Sequence, residues 1–262
     1  MEPWYGSVAA AAHTLWRYEG LKITVTGREN LPATGGAVVA INHTGYLDFL
    51  FAGVASYDWK PRRRVRFMAK KETFDNRYSG PIMRGCRHIA VDRSQGAESY
   101  ATAVSYLKDG ELVGVYPEAT ISRSFELKEF KSGAARMAIE AQVPIIPHIV
   151  WGAQRIWTKD HPKQLGRTKV PISVAIGEPI PPTLPVEDLR ALLQTRMQHL
   201  LEQAQDAYPE HPAGAFWVPR RLGGSAPTPA EALQLDAAEA ARKAEQRAAR
   251  QNQPPSPTGA AE

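Results

Sequence analysis

The sequence predicts an α/β fold: a mostly parallel sheet flanked by helices. Two observations lead there. Short apolar runs of strand length, such as GAVVAIN (36–42), alternate with longer segments of helical period. Such alternation arises when helical crossovers connect parallel strands and cover both sheet faces. The chain also has 262 residues, 43% of them hydrophobic, which is enough for one large domain with a sizeable core.

Taken in order, segment 4–18 reads as an N-terminal amphipathic helix carrying Trp4, Tyr5, Leu15, Trp16 and Tyr18. It either packs on the domain or lies in a membrane interface, where amphipathic rings are favoured. Leu21, Ile23 and Val25 alternate as in a strand. GAVVAIN is a short buried strand, YLDFLFAGVAS a helix and VRFMAK a short strand. SGPIMRG is compact and short, and RHIAVDR is a strand ending in a charged pair. AESYATAVSYLKDG is a helix stopped by Gly110, and ELVGVYPE a strand. SGAARMAIEAQ is a helix before the strand VPIIPHIVWG, and VPISVAIGEP is another strand. Val186, Leu189, Leu193, Met197, Leu200 and Ala204 then mark a long helix with one buried face. Beyond Gly223 the chain turns Ala-rich, Pro-rich and charged, without large apolar residues at helical spacing. The expected organisation is a helix over 1–20, a main domain over 21–222 and a flexible tail over 223–262. Part of that tail could be a solvated helix supported by Glu239–Lys243.

The formal net charge is +5, and the tail is nearly neutral, so the excess lies in the folded part. It suits an anionic partner, a membrane surface or a phosphorylated ligand, and no nucleic-acid partner is expected. Cys86 is the only cysteine. It excludes an internal disulfide and a cysteine metal site, and it fits a reducing compartment. No stretch reaches about 18 uninterrupted apolar residues, and the first residues lack the basic region of a signal peptide.

Three expected strands end in reactive residues: His43 after GAVVAIN, Asp92 and Arg93 after RHIAV, and Glu118 after LVGVYP. Ligands of open α/β sheets bind outside the carboxyl ends of the strands. A neutral imidazole there can take a proton from a hydroxyl. Asp48, five residues on, can fix the imidazole tautomer, or it can simply favour a helix N-terminus. Arg93 can grip a phosphate with its fork, and Glu118 can accept from a substrate hydroxyl. There is no Gly-x-Ser-x-Gly elbow, P-loop or His-Glu-x-x-His helix. No metal site or cofactor is expected, and His43 would deprotonate the substrate's own hydroxyl.

NHTGYLD resembles the His-x-x-x-x-Asp motif of the 1-acylglycerol-3-phosphate acyltransferase family of glycerolipid acyltransferases. CRHIAVDR resembles the family's second motif, YPEATIS the third, usually Phe-Pro-Glu-Gly-Thr-Arg-Ser, and VPIIP the fourth. All four occur in family order, over roughly residues 20–205. The resemblance implies a glycerolipid-acyltransferase fold and acyl transfer from acyl-CoA or acyl-carrier protein to lysophosphatidate, giving phosphatidate. It implies His43 as general base, Asp48 as its partner, Arg93 and the Glu118–Thr120 segment as ligands of the acceptor, and Pro144–Pro147 as lining. It also implies a peripheral enzyme at the cytoplasmic face of the membrane. The third motif departs from the pattern: Ala119 stands for glycine and Ile121 for arginine. Arg123 and Lys131 are the candidates to replace the lost cation, and another lysophospholipid acceptor becomes a rival. So do an acyl-thioester hydrolase using the same pair and a non-catalytic lipid-binding module. Lys70 lies where the family often carries a lysine near the reaction centre. It belongs to the basic run KPRRRVRFMAKKE (60–72), expected to meet anionic headgroups at about 1 kcal/mol per charge.

Overall fold

A computed structural model describes residues 3–92 and 96–251. Seven strands form one sheet: β1 (Lys22–Thr26), β2 (Ala37–Ile41), β3 (Val65–Lys70), β4 (Ile89–Val91), β5 (Leu112–Val115), β6 (Ile145–Trp151) and β7 (Pro171–Ile176). The helices are α1 (Pro3–Glu19), α2 (Asp48–Asp58), α3 (Lys71–Asp75), α4 (Ser79–Gly85), α5 (Gly96–Lys108), α6 (Gly133–Ala141), α7 (Val186–Asp206) and α8 (Pro229–Gln251). The strand order is β1-β7-β6-β2-β5-β3-β4. Every neighbouring pair is parallel except β6 and β7. The mostly parallel sheet expected from the sequence is present.

β2 explains why its run is apolar throughout. Ala37, Val39 and Ile41 pack with Ala9, Ala12, Trp16 and Phe51 of α1 and α2. Val38 and Ala40 pack on the other face with residues of α5, α6 and α7. A strand covered on both faces needs no polar alternation.

α1 settles its two readings in favour of packing. Tyr5, Ala9, Ala12 and Trp16 recur at helical spacing and are buried. The Trp16 ring stacks on Phe51 at 5.0 Å. The Tyr5 hydroxyl donates to the Gly53 carbonyl and accepts from the Val65 N–H. Trp4, Leu15 and Tyr18 remain exposed on the outer side. No helix of the described residues is long and apolar enough to cross a membrane.

Part of the basic run is consumed by the fold. Arg66 is buried and bonds Glu111 and the Cys86 carbonyl. Arg63 donates to the carbonyls of Pro32, Gly35 and Gly110. Their guanidinium forks satisfy chain reversals that would otherwise carry bare carbonyls. Lys60, Arg62, Lys70 and Lys71 stay exposed.

Within the segment expected as a tail, the helix foreseen there runs from Pro229 to Gln251 as α8, with its Glu239–Lys243 pair. Its start is capped reciprocally: the Thr228 N–H donates to the Glu231 carboxylate and the Glu231 N–H to the Thr228 hydroxyl. With Pro229 in the first turn, TPAE is a capping box. The remaining tail, 252–262, lies outside the described residues.

Two histidines are held neutral inside the fold. His148, fully buried in β6, is pushed down to about 4 by burial. His88 is pushed down to about 4 by burial and then by Arg66, and its Nδ1 accepts the Phe67 N–H. Each is depressed below its ordinary 6.5, so the unfolded chain takes up these protons more readily than the folded one. Their contribution is intact above pH 6.5 and is lost as pH falls toward 4, on the order of 3 kcal/mol for His148. Thermal unfolding followed from pH 7 to pH 4 is expected to show the midpoint falling through this window. A His148→Leu variant that remains folded is expected to lose part of that slope.

Candidate active site

The central strands bring the first and third motifs together. β2 and β5 are parallel neighbours, so His43 and Glu118 leave the sheet side by side at its carboxyl edge. His43 continues the parity of Val39 and Ile41, the face that α2 covers, and Asp48 is the first residue of α2.

The dyad is formed: His43 Nδ1 lies 3.1 Å from Asp48 Oδ2. The same oxygen accepts the Thr44 and Gly45 N–H groups at 2.8 Å each. Asp48 therefore ties a loop, and it does not simply cap the helix: α2 has no side-chain cap. The carboxylate is fully buried. Burial pushes its pKa up, while His43 and the two loop N–H groups pull it down. With Nδ1–H donated to Asp48, Nε2 keeps its lone pair and is the nitrogen left to meet a substrate. The His43 side chain is 18% exposed.

Neighbouring groups fix where this imidazole stands. The Asn42 side chain mimics a strand extension: its Nδ2 donates to the Val150 carbonyl and its Oδ1 accepts the Val150 N–H. The His43 N–H donates to Glu118 Oε1 at 2.8 Å, and the His43 carbonyl accepts the Ser122 N–H at 2.7 Å. The Tyr116 ring stacks on the imidazole, centroids 3.9 Å apart and planes 17° apart. Gly45 lets the loop after β6 approach; a Cβ there would meet the Trp157 carbonyl oxygen at 2.9 Å.

Glu118 makes structural contacts that the sequence did not suggest. Its second oxygen accepts the Lys128 N–H at 3.0 Å, so both oxygens are committed to backbone donors in a buried place. Burial pushes its carboxyl up to about 8, opposed by the N–H groups of Lys128 and His43. Glu118 thus joins two loops through one backbone N–H on each oxygen.

The remaining candidates divide. Arg93 lies outside the described residues. Asp92 follows β4, an edge strand separated from β2 by β5 and β3, about 14 Å along the sheet; it pairs with Lys71 at 3.4 Å. Lys70, at the end of β3, and Lys131 are exposed. Pro144 and Pro147 border β2 within the sheet: the Pro144 carbonyl accepts the Val38 N–H and Pro147 sits beside Ala40. Ile121, in place of the usual arginine, is buried. Arg123 is 7% exposed and meets three carboxylates: Asp160 at 2.5 Å, Asp236, and Glu239 at 2.8 Å. Lys128 Nζ donates to the Thr120 hydroxyl at 2.7 Å and pairs with Asp236. Lys159 pairs with Glu239 at 3.0 Å.

Sequence reasoning missed Asn42, Tyr116, Lys128 and Lys159. Asn42 and Tyr116 adjoin the recognised residues, and their types, a double hydrogen-bonder and an aromatic, were the available signal. Lys128 and Lys159 lie in loops whose approach only the fold defines. Among the described residues no group of three or more His, Cys, Asp or Glu could hold a metal ion.

Known proteins resemble this chain in the same region. A family model described as Acyltransferase matches residues 22–151. The 1-acyl-sn-glycerol-3-phosphate acyltransferase of Bacillus subtilis (strain 168) is 33% identical over 159 residues, covering 60% of this chain and 73% of that protein. The protein of the same description from Limnanthes douglasii is 29% identical over 59% of this chain and 53% of its own length. This chain thus spans only about half of that plant relative. The crystal structure of the 1-acyl-sn-glycerophosphate (LPA) acyltransferase PlsC from Thermotoga maritima superposes with a TM-score of 0.65 at 20% identity, covering 79% of this chain and 81% of that one. At that identity the likeness is one of fold.

Two substitutions check the geometry. Ala119 has φ +62°, a left-handed conformation that costs a non-glycine residue about 1–2 kcal/mol. Ala119→Gly is expected to raise stability in urea by up to about 1 kcal/mol, after the larger entropy of the unfolded glycine is offset. Asn42→Ala leaves two buried Val150 groups unpaired and is expected to lower stability by roughly 2 kcal/mol, read from the same unfolding curves.

Proposed function

Since the chain belongs to the 1-acyl-sn-glycerol-3-phosphate acyltransferase family, we propose that it transfers a fatty acyl group from acyl-CoA to the free hydroxyl of lysophosphatidate, making phosphatidate. The observation that carries this reading is the His43–Asp48 pair at the carboxyl edge of the central strands, with Nε2 left to meet a substrate. In the proposed step Nε2 takes the proton of the acceptor hydroxyl. The hydroxyl oxygen bonds to the thioester carbonyl carbon, and Asp48 stabilises the imidazolium. The tetrahedral intermediate then expels the sulfur: the C–S bond breaks, and the imidazolium returns the proton to give the coenzyme A thiol. A thiolate leaves readily, so an oriented base supplies much of what the reaction needs.

Arg123, Thr120, Lys128 and Lys159 are the proposed surroundings of the acceptor's phosphate, and Arg93 is proposed as a further ligand on the resemblance of its motif alone. The exposed cations Lys60, Arg62, Lys70 and Lys71, with Trp4, Leu15 and Tyr18 of α1, support a peripheral seat on an anionic membrane, proposed to be its cytoplasmic face. Acyl-carrier protein is the alternative donor. A lysophospholipid with a different headgroup is the second reading of the acceptor, favoured by Ile121 and by the carboxylates already seated on Arg123.

The test is thiol release from palmitoyl-CoA with a panel of lysophospholipids, products identified by mass. Phosphatidate formed from lysophosphatidate supports the proposal. A different product lipid moves the acceptor, and free fatty acid in every reaction makes the protein a hydrolase. His43→Ala is expected to lower turnover at least ~100-fold in a protein that stays folded at the assay temperature; near-normal turnover in that folded variant would remove His43 as the base.

A further inference from the structure

We propose that α8 is a strap whose Asp236 and Glu239 carboxylates occupy the seat of a phosphate monoester beside the His43 loop, so that an acceptor bearing that group displaces it. The inference rests on the acyltransferase reading of the site and deepens it by naming what competes for the acceptor's place.

Three cations line this seat, each tied within one residue to the His43 loop. Ser122, beside Arg123, donates its N–H to the His43 carbonyl. The Lys128 N–H donates to Glu118, whose other oxygen takes the His43 N–H. Thr158, beside Lys159, donates its hydroxyl to the Thr44 carbonyl at 2.7 Å. The fold thus gathers one guanidinium and two ammonium groups at the rim of the proposed base.

The present occupant is chemically apt. Asp236 accepts from Arg123 and Lys128, with Lys159 at 3.7 Å. Glu239 accepts from Arg123 and Lys159, and from Lys243 of its own helix. The three donors hold the Glu239 carboxyl well below its usual range, Lys243 most strongly, then Arg123 and Lys159. Two carboxylates one turn apart present two negative charges, the charge of an ionised phosphate monoester.

The helix is also built to come away. Ala232 is the only buried residue among its described side chains, and Leu233 and Leu235 point outward at 63% and 46% exposure. The stripe that faces the body is Ala232, Asp236 and Glu239, so ion pairs rather than apolar burial hold it. Such pairs weaken with salt and yield to a better-placed anion. The chain before α8 is anchored at Ala226, which is buried in the core and donates its N–H to the Val218 carbonyl, so a helix that comes away stays attached to the body.

The test compares the full chain with a D236N/E239Q variant, which keeps the side-chain shapes and removes both charges. Inorganic phosphate and glycerol 3-phosphate are the probes, titrated by calorimetry. The variant is expected to bind both at least about tenfold tighter. Its KM for lysophosphatidate is expected to fall by a similar factor, with the KM for palmitoyl-CoA unchanged. Unchanged or weaker phosphate binding in the folded variant overturns the strap, since the carboxylates would then build the seat rather than fill it. In the unaltered chain, amide exchange of α8 is expected to accelerate with saturating glycerol 3-phosphate, and exchange that does not respond also overturns the proposal. Tighter phosphate binding in the variant, with no turnover of lysophosphatidate by either protein, upholds the strap and rejects only the acceptor.

Discussion

A carboxylate sealed from water must be given donors, and the site depends on how Asp48 obtains them. Its Oδ2 collects the His43 ring nitrogen and the N–H groups of Thr44 and Gly45. Those three donors belong to consecutive residues, so satisfying the charge folds the loop. The loop then presents the imidazole, and its flanking bonds to Glu118, Ser122 and Thr158 recruit the segments after β5 and β6. Removing the carboxylate would disturb the proposed base and the architecture together.

The parallel sheet supplies the second constraint. Adjacent strands running the same way deliver their carboxyl ends to one edge, and β2 and β5 deliver His43 and Glu118 as neighbours. β4 delivers Asp92 to the same edge but two strands further on. Proximity within such a fold is therefore set by strand order, which is not written in any one motif.

That distinction explains what could be read from the sequence. Strand existence and the His43–Asp48 pair were legible because they arise from local period and from a five-residue spacing. The backbone bonds of Glu118 were not, because nothing local tells a strand-end carboxylate which N–H groups the fold will bring to it. Arg63 and Arg66 looked like surface charge within a basic run; only the fold reveals the carbonyls and the Glu111 carboxylate that need them. The docking of α8 was not legible because its inward stripe is Ala232, Asp236 and Glu239, which carries no apolar periodicity. Its capping box at Thr228 and Glu231 was the readable sign.

The Tyr116 ring has a consequence for which alcohol reacts. An imidazole with one face covered and Nδ1 tied to Asp48 cannot tumble; in the proposed reaction it accepts a proton only along the in-plane line of its Nε2 lone pair. A glycerolipid with one acyl chain and one headgroup has a single free hydroxyl, on the primary or the secondary carbon according to the isomer. Where the headgroup is anchored relative to that line therefore decides which carbon receives the acyl chain. Regiochemistry in this site is a matter of aim, set by a flat aromatic surface and a buried charge.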